Sequence, residues 1–161
     1  MTVTREDYAA LLARKNRERD RLVKGPGELL AVFVAGKLVN PLNASAWGWQ
    51  KRSRLAKTWK ERTAVALFEA GETIRCDVCG YGSVRSLTPK RVHFLALTWN
   101  TMDSDGLQAS LKPVRDSLVQ CGVIHSDAPD SGHEFVYEQR IDRARRGVEI
   151  RVAAEGGGGD G

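Results

Sequence analysis

Residues 91–99 constrain the fold most strongly, because they have the pattern of a β-strand that is apolar on both faces. One alternating set is Val92, Phe94, Ala96 and Thr98, and the other is His93, Leu95, Leu97 and Trp99. A strand with one face in water carries polar residues at every second position, whereas a strand covered on both faces does not. The pattern therefore predicts a central strand, covered on both faces by other parts of the chain.

Periodic segments elsewhere predict the remaining elements. We expect strands over residues 29–35, 135–141 and 148–152, and helices over residues 54–70 and 105–121. A chain of 161 residues is long enough for one domain with a hydrophobic core and too short for two. The expected fold is α/β (α+β): a single mixed sheet with two packed helices and an extra N-terminal helix.

Composition divides the chain into three regions. Residues 4–7 resemble a capping box that begins a basic helix, and a Gly-Pro-Gly turn at residues 25–27 ends it. We therefore assign residues 1–27 to a basic N-terminal helical extension. Residues 28–153 form the main domain, and residues 154–161 form a flexible, glycine-rich tail.

The sequence shows no sign of secretion or of a membrane span. The longest apolar run lies at residues 29–35, far short of the roughly 18 residues that a membrane span needs. The first residues contain no apolar signal core. Three cysteines, an odd number, argue against a disulfide framework. We expect a cytoplasmic protein that does not associate with membranes.

The charge is distributed unevenly along the chain. Residues 1–100 contain 18 Lys and Arg against 9 Asp and Glu, whereas residues 101–161 contain 7 against 11. A nucleic-acid enzyme needs cations to hold phosphates and carboxylates to hold a metal ion, and this asymmetry supplies both. The alternative is that both sets of charges only solvate the surface.

The helix expected over residues 105–121 is two-sided. On a helical wheel Asp105, Lys112 and Asp116 fall on one side. The opposite side is apolar: Leu107, Leu111, Val114, Leu118 and Cys121. Pro113 is expected to kink the helix. On the preceding helix, the side expected to be buried consists of Leu55, Trp59, Ala66 and Ala70.

Aspartates cluster around this helix. Asp103 precedes it, Asp105 lies in its first turn, and Asp127 and Asp130 follow it. Short carboxylates on loops and helix starts suit a site for a hard divalent cation such as Mg²⁺. The alternative is that Asp103 or Asp105 serves only as a helix N-cap.

A second metal hypothesis involves zinc. Cys76 and Cys79 form a Cys-x-x-Cys pair, and Cys121 with His125 would supply the other half of a site. A single Cys-x-x-Cys is only half a zinc site, and Cys121 lies on the apolar stripe, where a buried free cysteine is the simpler interpretation. Zinc is therefore the less favoured cofactor.

Residues 102–118 and 122–127 resemble the RusA-type Holliday-junction resolvases, which are largely phage-associated DNA endonucleases. The shared order is Asp-x-Asp, a Lys and an Asp on the following helix, and then an acidic position after a glycine turn. Weaker matches are Pro41 and Asn43 in a turn near the family's first strand, Trp59 in its first helix, and residues 147–152 in its last strand. The resemblance covers residues 28–70 and 88–152.

This resemblance implies a Mg²⁺-dependent endonuclease, with Mn²⁺ as a possible substitute, that resolves four-way DNA junctions in recombination and repair as a homodimer. Asp103, Asp105 and Asp127 correspond to the family's metal-binding catalytic aspartates, and Lys112 to its essential lysine. Gly106 stands where the family carries Asn. Ser126 replaces the first member of the family's acidic pair.

Several residues are candidates for contact with DNA. They are Asn43, Lys51, Arg52, Arg54 and Met102. Met102 would press into the branch point as an apolar wedge, or alternatively fill space under the helix start. Trp47 and Trp49 would stack on unpaired bases, or alternatively pack in the core. The competing function is a non-catalytic, zinc-stabilised DNA-binding module.

Overall fold

The computed structural model describes residues 4–7, 10–11, 22–41, 48–70 and 90–154. The strands and long helices are, in order, β1 (Glu28–Ala35), α1 (Trp49–Glu69), β2 (Lys90–Thr98), α2 (Ser104–Gln120), β3 (Glu134–Ile141) and β4 (Gly147–Ala154). Residues 5–7 and 10–11 are also helical. The predicted fold class is confirmed, because these elements form one mixed sheet with packed helices.

The four strands lie in the order β1-β4-β2-β3. Strand β4 is antiparallel to both β1 and β2, while β2 and β3 are parallel and are joined through α2. Strand β2 is therefore interior. Phe94 on one of its faces and Leu95 and Leu97 on the other are buried. The prediction of a central strand is confirmed, but the strand covers Lys90–Thr98, and Trp99 lies beyond its end and is exposed.

The core lies on the face of the sheet that the two long helices cover. Three rows of side chains cross this face: Leu30, Val152, Val92 and Phe135; Val32, Ile150, Phe94 and Tyr137; and Val34, Val148, Ala96 and Gln139. From the helices, Trp59, Leu67, Leu111 and Leu118 join the buried cluster. The core placement of Trp59 is confirmed.

Helix α1 begins at Trp49, earlier than the predicted start at residue 54. This start is hard to predict from the sequence, because Gly48 at the N-cap has no side chain and the first turn contains no acidic residue. The buried side consists of Trp59, Thr63 and Leu67, whereas Ala70 is exposed, contrary to prediction. Thr63 is tolerated there because its hydroxyl donates to the Trp59 carbonyl at 2.7 Å.

Helix α2 has the predicted two-sided character. The predicted apolar stripe is buried: Leu107, Leu111, Val114, Leu118 and the C-cap residue Cys121. Asp105 and Lys112 are exposed on the other side. The helix continues through Pro113. A hydrogen bond of 3.1 Å from the Ser117 hydroxyl to the Lys60 carbonyl joins α2 to α1.

The N-terminal capping box is confirmed. The Thr4 hydroxyl oxygen accepts from the Asp7 N–H at 3.1 Å, and Asp7 Oδ2 accepts from the Thr4 N–H at 3.1 Å. Hydrogen bonding to Thr4 also lowers the pKa of the Asp7 carboxyl. In the described parts of the chain, no helix is both long enough and apolar enough to cross a membrane.

Candidate metal and nucleic-acid site

The candidate site lies at one edge of the sheet, where β1, β2 and β3 end and β4 begins. The register pairs Thr98 with Ile141, Leu97 with Gly147, and Ala35 with Gly147. The segments that follow or precede these positions are residues 36–41, 99–103 and 142–146, which we call the loop edge. Helix α2 starts from this edge.

Asp103 and Asp105 lie together at the start of α2. Asp103 is the N-cap, and its Oδ1 accepts from the Gly106 N–H at 2.8 Å. Asp105 is exposed in the first turn and has no hydrogen bond or ion pair with any described residue. The positive end of the helix dipole stabilises both negative charges. Asp103 is therefore a helix N-cap, and capping uses only one of its two carboxylate oxygens.

Lys112 lies two turns further along α2, on the same side as Asp105. Its Nζ is 3.2 Å from Asp116 Oδ1, and both side chains are accessible to water. The structure thus brings Lys112 to Asp116. Because the lysine side chain is long and exposed, an ion pair of this kind contributes little stability and does not hold Lys112 rigidly.

Asp127 lies in the loop after α2, where it pairs with Arg115. The distance from Arg115 Nε to Asp127 Oδ2 is 3.0 Å, and Arg115 Nη1 donates to the Tyr137 hydroxyl at 2.6 Å. Burial alone lowers the pKa of Arg115, but Tyr137 and Asp127 outweigh it, and the pKa is raised. Tyr137 in turn stacks on Phe94, with ring centroids 5.4 Å apart. Asp127 therefore belongs to a network that anchors the loop to the core.

The predicted three-aspartate ligand set is not assembled. Among the described residues, no three His, Cys, Asp or Glu side chains are close enough together to hold a metal ion. Asp103 and Asp105 still fit Mg²⁺, because this ion commonly uses one or two protein carboxylates and completes its shell with water and substrate phosphate. Asp127 is paired with Arg115 in the loop after α2 and does not form a group of three with Asp103 and Asp105.

The structure describes some of the predicted DNA-contact residues and not others. Lys51, Arg52 and Arg54 are exposed in the first turns of α1. Asn43 lies outside the described residues, as do Trp47, Cys76 and Cys79. Trp49 is 72% exposed, so the core-packing alternative is wrong for it.

The Met102 side chain is not placed to insert between DNA bases as a wedge would. Its side chain is half-buried and packs against the core cluster. The Gln139 side chain clamps its backbone, with Oε1 accepting from the Met102 N–H at 2.9 Å and Nε2 donating to the Met102 carbonyl at 2.5 Å. The structure therefore favours the space-filling alternative over insertion into DNA. The clamp also fixes the chain immediately before Asp103.

A cationic and aromatic pair lies at the loop edge and is not indicated by the sequence pattern. Trp99 is 48% exposed, and the Arg146 guanidinium lies over its ring at 4.3 Å. Exposed basic residues nearby on the same edge are Lys37, Arg143 and Arg146, with Arg140 near the end of β3. An alternating basic and aromatic pattern would have signalled such a surface, but Trp99 and Arg146 come from different connections. Only the register of β2 with β4 brings them together.

The histidines and Cys121 form no zinc site in the described part of the chain. Cys121 is buried, as the simpler interpretation predicted. His125 Nδ1 lies 2.9 Å from His133 Nε2, and the Lys90 N–H donates to His133 Nδ1 at 3.0 Å. His93 Nε2 is 2.7 Å from Glu138 Oε2. His125 therefore contacts His133 rather than the start of α2.

No protein-family model and no curated protein matches this chain.

Proposed function

We propose that this chain is a structure-selective DNA endonuclease that cuts four-way junctions, the activity implied by its resemblance to RusA-type resolvases. One observation carries the proposal: the exposed Asp103 lies in the loop edge, which also contains the exposed basic residues Arg143 and Arg146, and the exposed Asp105 lies in the first turn of the helix that starts there. Carboxylates for a hard cation and guanidinium groups for phosphates are the two components that phosphodiester cleavage requires.

Each group in this arrangement has a chemical task. Asp103 and Asp105 would hold Mg²⁺, or Mn²⁺ in its place, and the bound ion would activate water and neutralise charge on the scissile phosphate. The ammonium group of Lys112 stabilises the negative charge that grows on the phosphate in the transition state. Arg143 and Arg146 hold the flanking DNA backbone, and the Gln139 clamp on Met102 keeps the segment before Asp103 in place.

The proposal includes a homodimer. Resolving a four-way junction requires cuts in two opposed strands, and a symmetric pair of subunits supplies one site for each. The resemblance implies the same arrangement. Such an enzyme would act in DNA recombination and repair.

The test is cleavage of a synthetic mobile four-way junction, compared with a linear duplex of the same sequence, with Mg²⁺ and with EDTA. We expect Mg²⁺-dependent paired cuts in the junction and little cleavage of the duplex. Junction binding without Mg²⁺-dependent cleavage, together with stoichiometric tightly bound zinc, would instead support the non-catalytic zinc-stabilised module. Equal cleavage of both substrates would contradict structure selectivity.

A further inference from the structure

The first turn of α2 contains a glycine, Gly106, and neighbouring side chains occupy the space that a Cβ on it would need. Gly106 is buried, and a Cβ built on it would lie 2.2 Å from Asn40 Nδ2 and 2.5 Å from Asp103 Oδ1. Both polar atoms are thus within 2.5 Å of a single point in space. The amide of Asn40 and the carboxylate of Asp103 are therefore neighbours across the glycine.

Position 106 requires glycine because a larger residue would not fit, and not because its backbone adopts a conformation that only glycine tolerates. Its backbone is helical, and it is not among the glycines with a positive φ. Glycine inside a helix costs about 1 kcal/mol relative to alanine, so a helical glycine needs another reason. The reason here is the approach of Asn40, because any Cβ at position 106 would collide with the amide and with the capping carboxylate.

We propose that Asn40 is a positioning residue for the Asp103 carboxylate, which it meets at the space that a Cβ of Gly106 would fill. A carboxylate only accepts hydrogen bonds, so the amide NH₂, which is the Asn40 group nearest to the position of that Cβ, is the group that would stabilise its charge and orientation. Asn40 belongs to the connection after β1, while Asp103 belongs to the connection after β2. The contact therefore couples two segments of the loop edge. This inference rests on the proposed function only for the role given to Asp103.

Two variants distinguish the loss of the Asn40 N–H donor from the loss of the side-chain volume. Asn40→Ala removes the amide, and Asn40→Leu keeps a similar volume without an N–H. Both should weaken Mn²⁺ binding to the DNA-free protein about 10- to 100-fold, the usual effect of removing a group that orients a metal ligand. Asn100→Ala, an exposed amide in the same edge, is the matched control. Mn²⁺ binding is read by electron paramagnetic resonance.

A second readout does not depend on metal or activity. The Gly106 N–H donates to Asp103 Oδ1, so its hydrogen exchange should accelerate in both Asn40 variants and not in Asn100→Ala. In a double-mutant cycle, Gly106→Ala should lower the free energy of unfolding less in the Asn40→Ala background than in the wild type. The reason is that the new methyl group then no longer collides with the Asn40 amide and meets only the Asp103 carboxylate.

Wild-type Mn²⁺ affinity and wild-type Gly106 exchange in Asn40→Leu would overturn the positioning role. Additive effects of Gly106→Ala and Asn40→Ala would overturn it as well. If the wild-type protein fails to cut four-way junctions, the proposed function fails. Faster Gly106 exchange in the Asn40 variants would still support the contact with Asp103.

Discussion

Arg115 Nε lies 3.0 Å from Asp127 Oδ2, and this ion pair fixes the loop after α2 to the helix itself. The two side chains are only 21% and 31% exposed, so solvent screens the pair less than it would a surface pair. Arg115 also donates to the Tyr137 hydroxyl, which ties the same network to β3. Asp127 is thereby assigned a structural contact that its position in the sequence did not suggest.

Asp127→Asn should act mainly on stability. The substitution leaves Arg115 without its charged partner, which we expect to lower the free energy of unfolding by about 1–3 kcal/mol. Junction cleavage at a permissive temperature should stay within a few-fold of wild type. Thermal unfolding and single-turnover cleavage measure the two effects, and Asp130→Asn, exposed in the same loop, is the control. Loss of cleavage with an unchanged melting temperature would restore Asp127 to the metal site.

Lys112→Ala should lower the cleavage rate far more than the affinity for the junction. We expect a decrease of roughly 100-fold in rate, because the lysine charge is needed in the transition state. Loss of the exposed pair with Asp116 should cost only about 0.3–0.5 kcal/mol of stability. Lys57→Ala is the matched control, since Lys57 is exposed and pairs with Glu61 at the same spacing. A change confined to the salt dependence of binding would make Lys112 an ordinary phosphate contact.

Trp99→Ala should weaken binding to junctions that contain unpaired bases. Stacking of one base on an aromatic ring contributes about 1–3 kcal/mol, so we expect a loss of roughly tenfold or more in affinity. Fluorescence anisotropy with a labelled junction measures it. Phe68→Ala, another exposed aromatic in the last turns of α1, serves as the control. Equal effects of the two substitutions would exclude a specific stacking role for Trp99.

Lys90 should make stability depend on pH in the alkaline range. Burial lowers the pKa of its ammonium group below the ordinary value of 10.5. Between these two pKa values the unfolded chain binds more protons at this site, so the free energy of unfolding should rise as pH increases. Lys90→Met should flatten that rise, as measured by urea unfolding at several alkaline pH values, whereas Lys57→Met should not. An unchanged slope in Lys90→Met would show that other groups produce it.

Much of the fold follows from periodicity, because burial is decided locally. The run at residues 91–99 predicted the interior strand, and helical spacing separated Leu107 and Leu111 from Asp105 and Lys112. These patterns repeat over several residues, so a single exception does not hide them. The start of α1 was not predictable in this way, since Gly48 provides no capping side chain.

The contacts of the candidate site were not predictable from spacing. Asp127 with Arg115, Trp99 with Arg146, and Asn40 beside Gly106 each join segments that are distant in the sequence or separated by a turn. Such pairs depend on strand register and on the geometry of connections. The sequence identified Asp103 and Asp105 as acidic groups at a helix start, but it did not reveal which side chains surround them.

The most direct test of the central claim is single-turnover cleavage of a four-way junction by wild type and by Asp105→Asn, with Mg²⁺ varied. Asp105 is exposed and has no hydrogen bond or ion pair with any described residue, so this substitution should keep the fold. It should cost only the interaction of the charge with the helix dipole, about 0.3–1 kcal/mol, and so lower the melting temperature only slightly. We predict Mg²⁺-dependent cleavage by the wild type, and for Asp105→Asn a rate lower by roughly 100-fold or more with junction binding retained. Cleavage by Asp105→Asn near the wild-type rate would contradict the assignment of the metal to the start of α2.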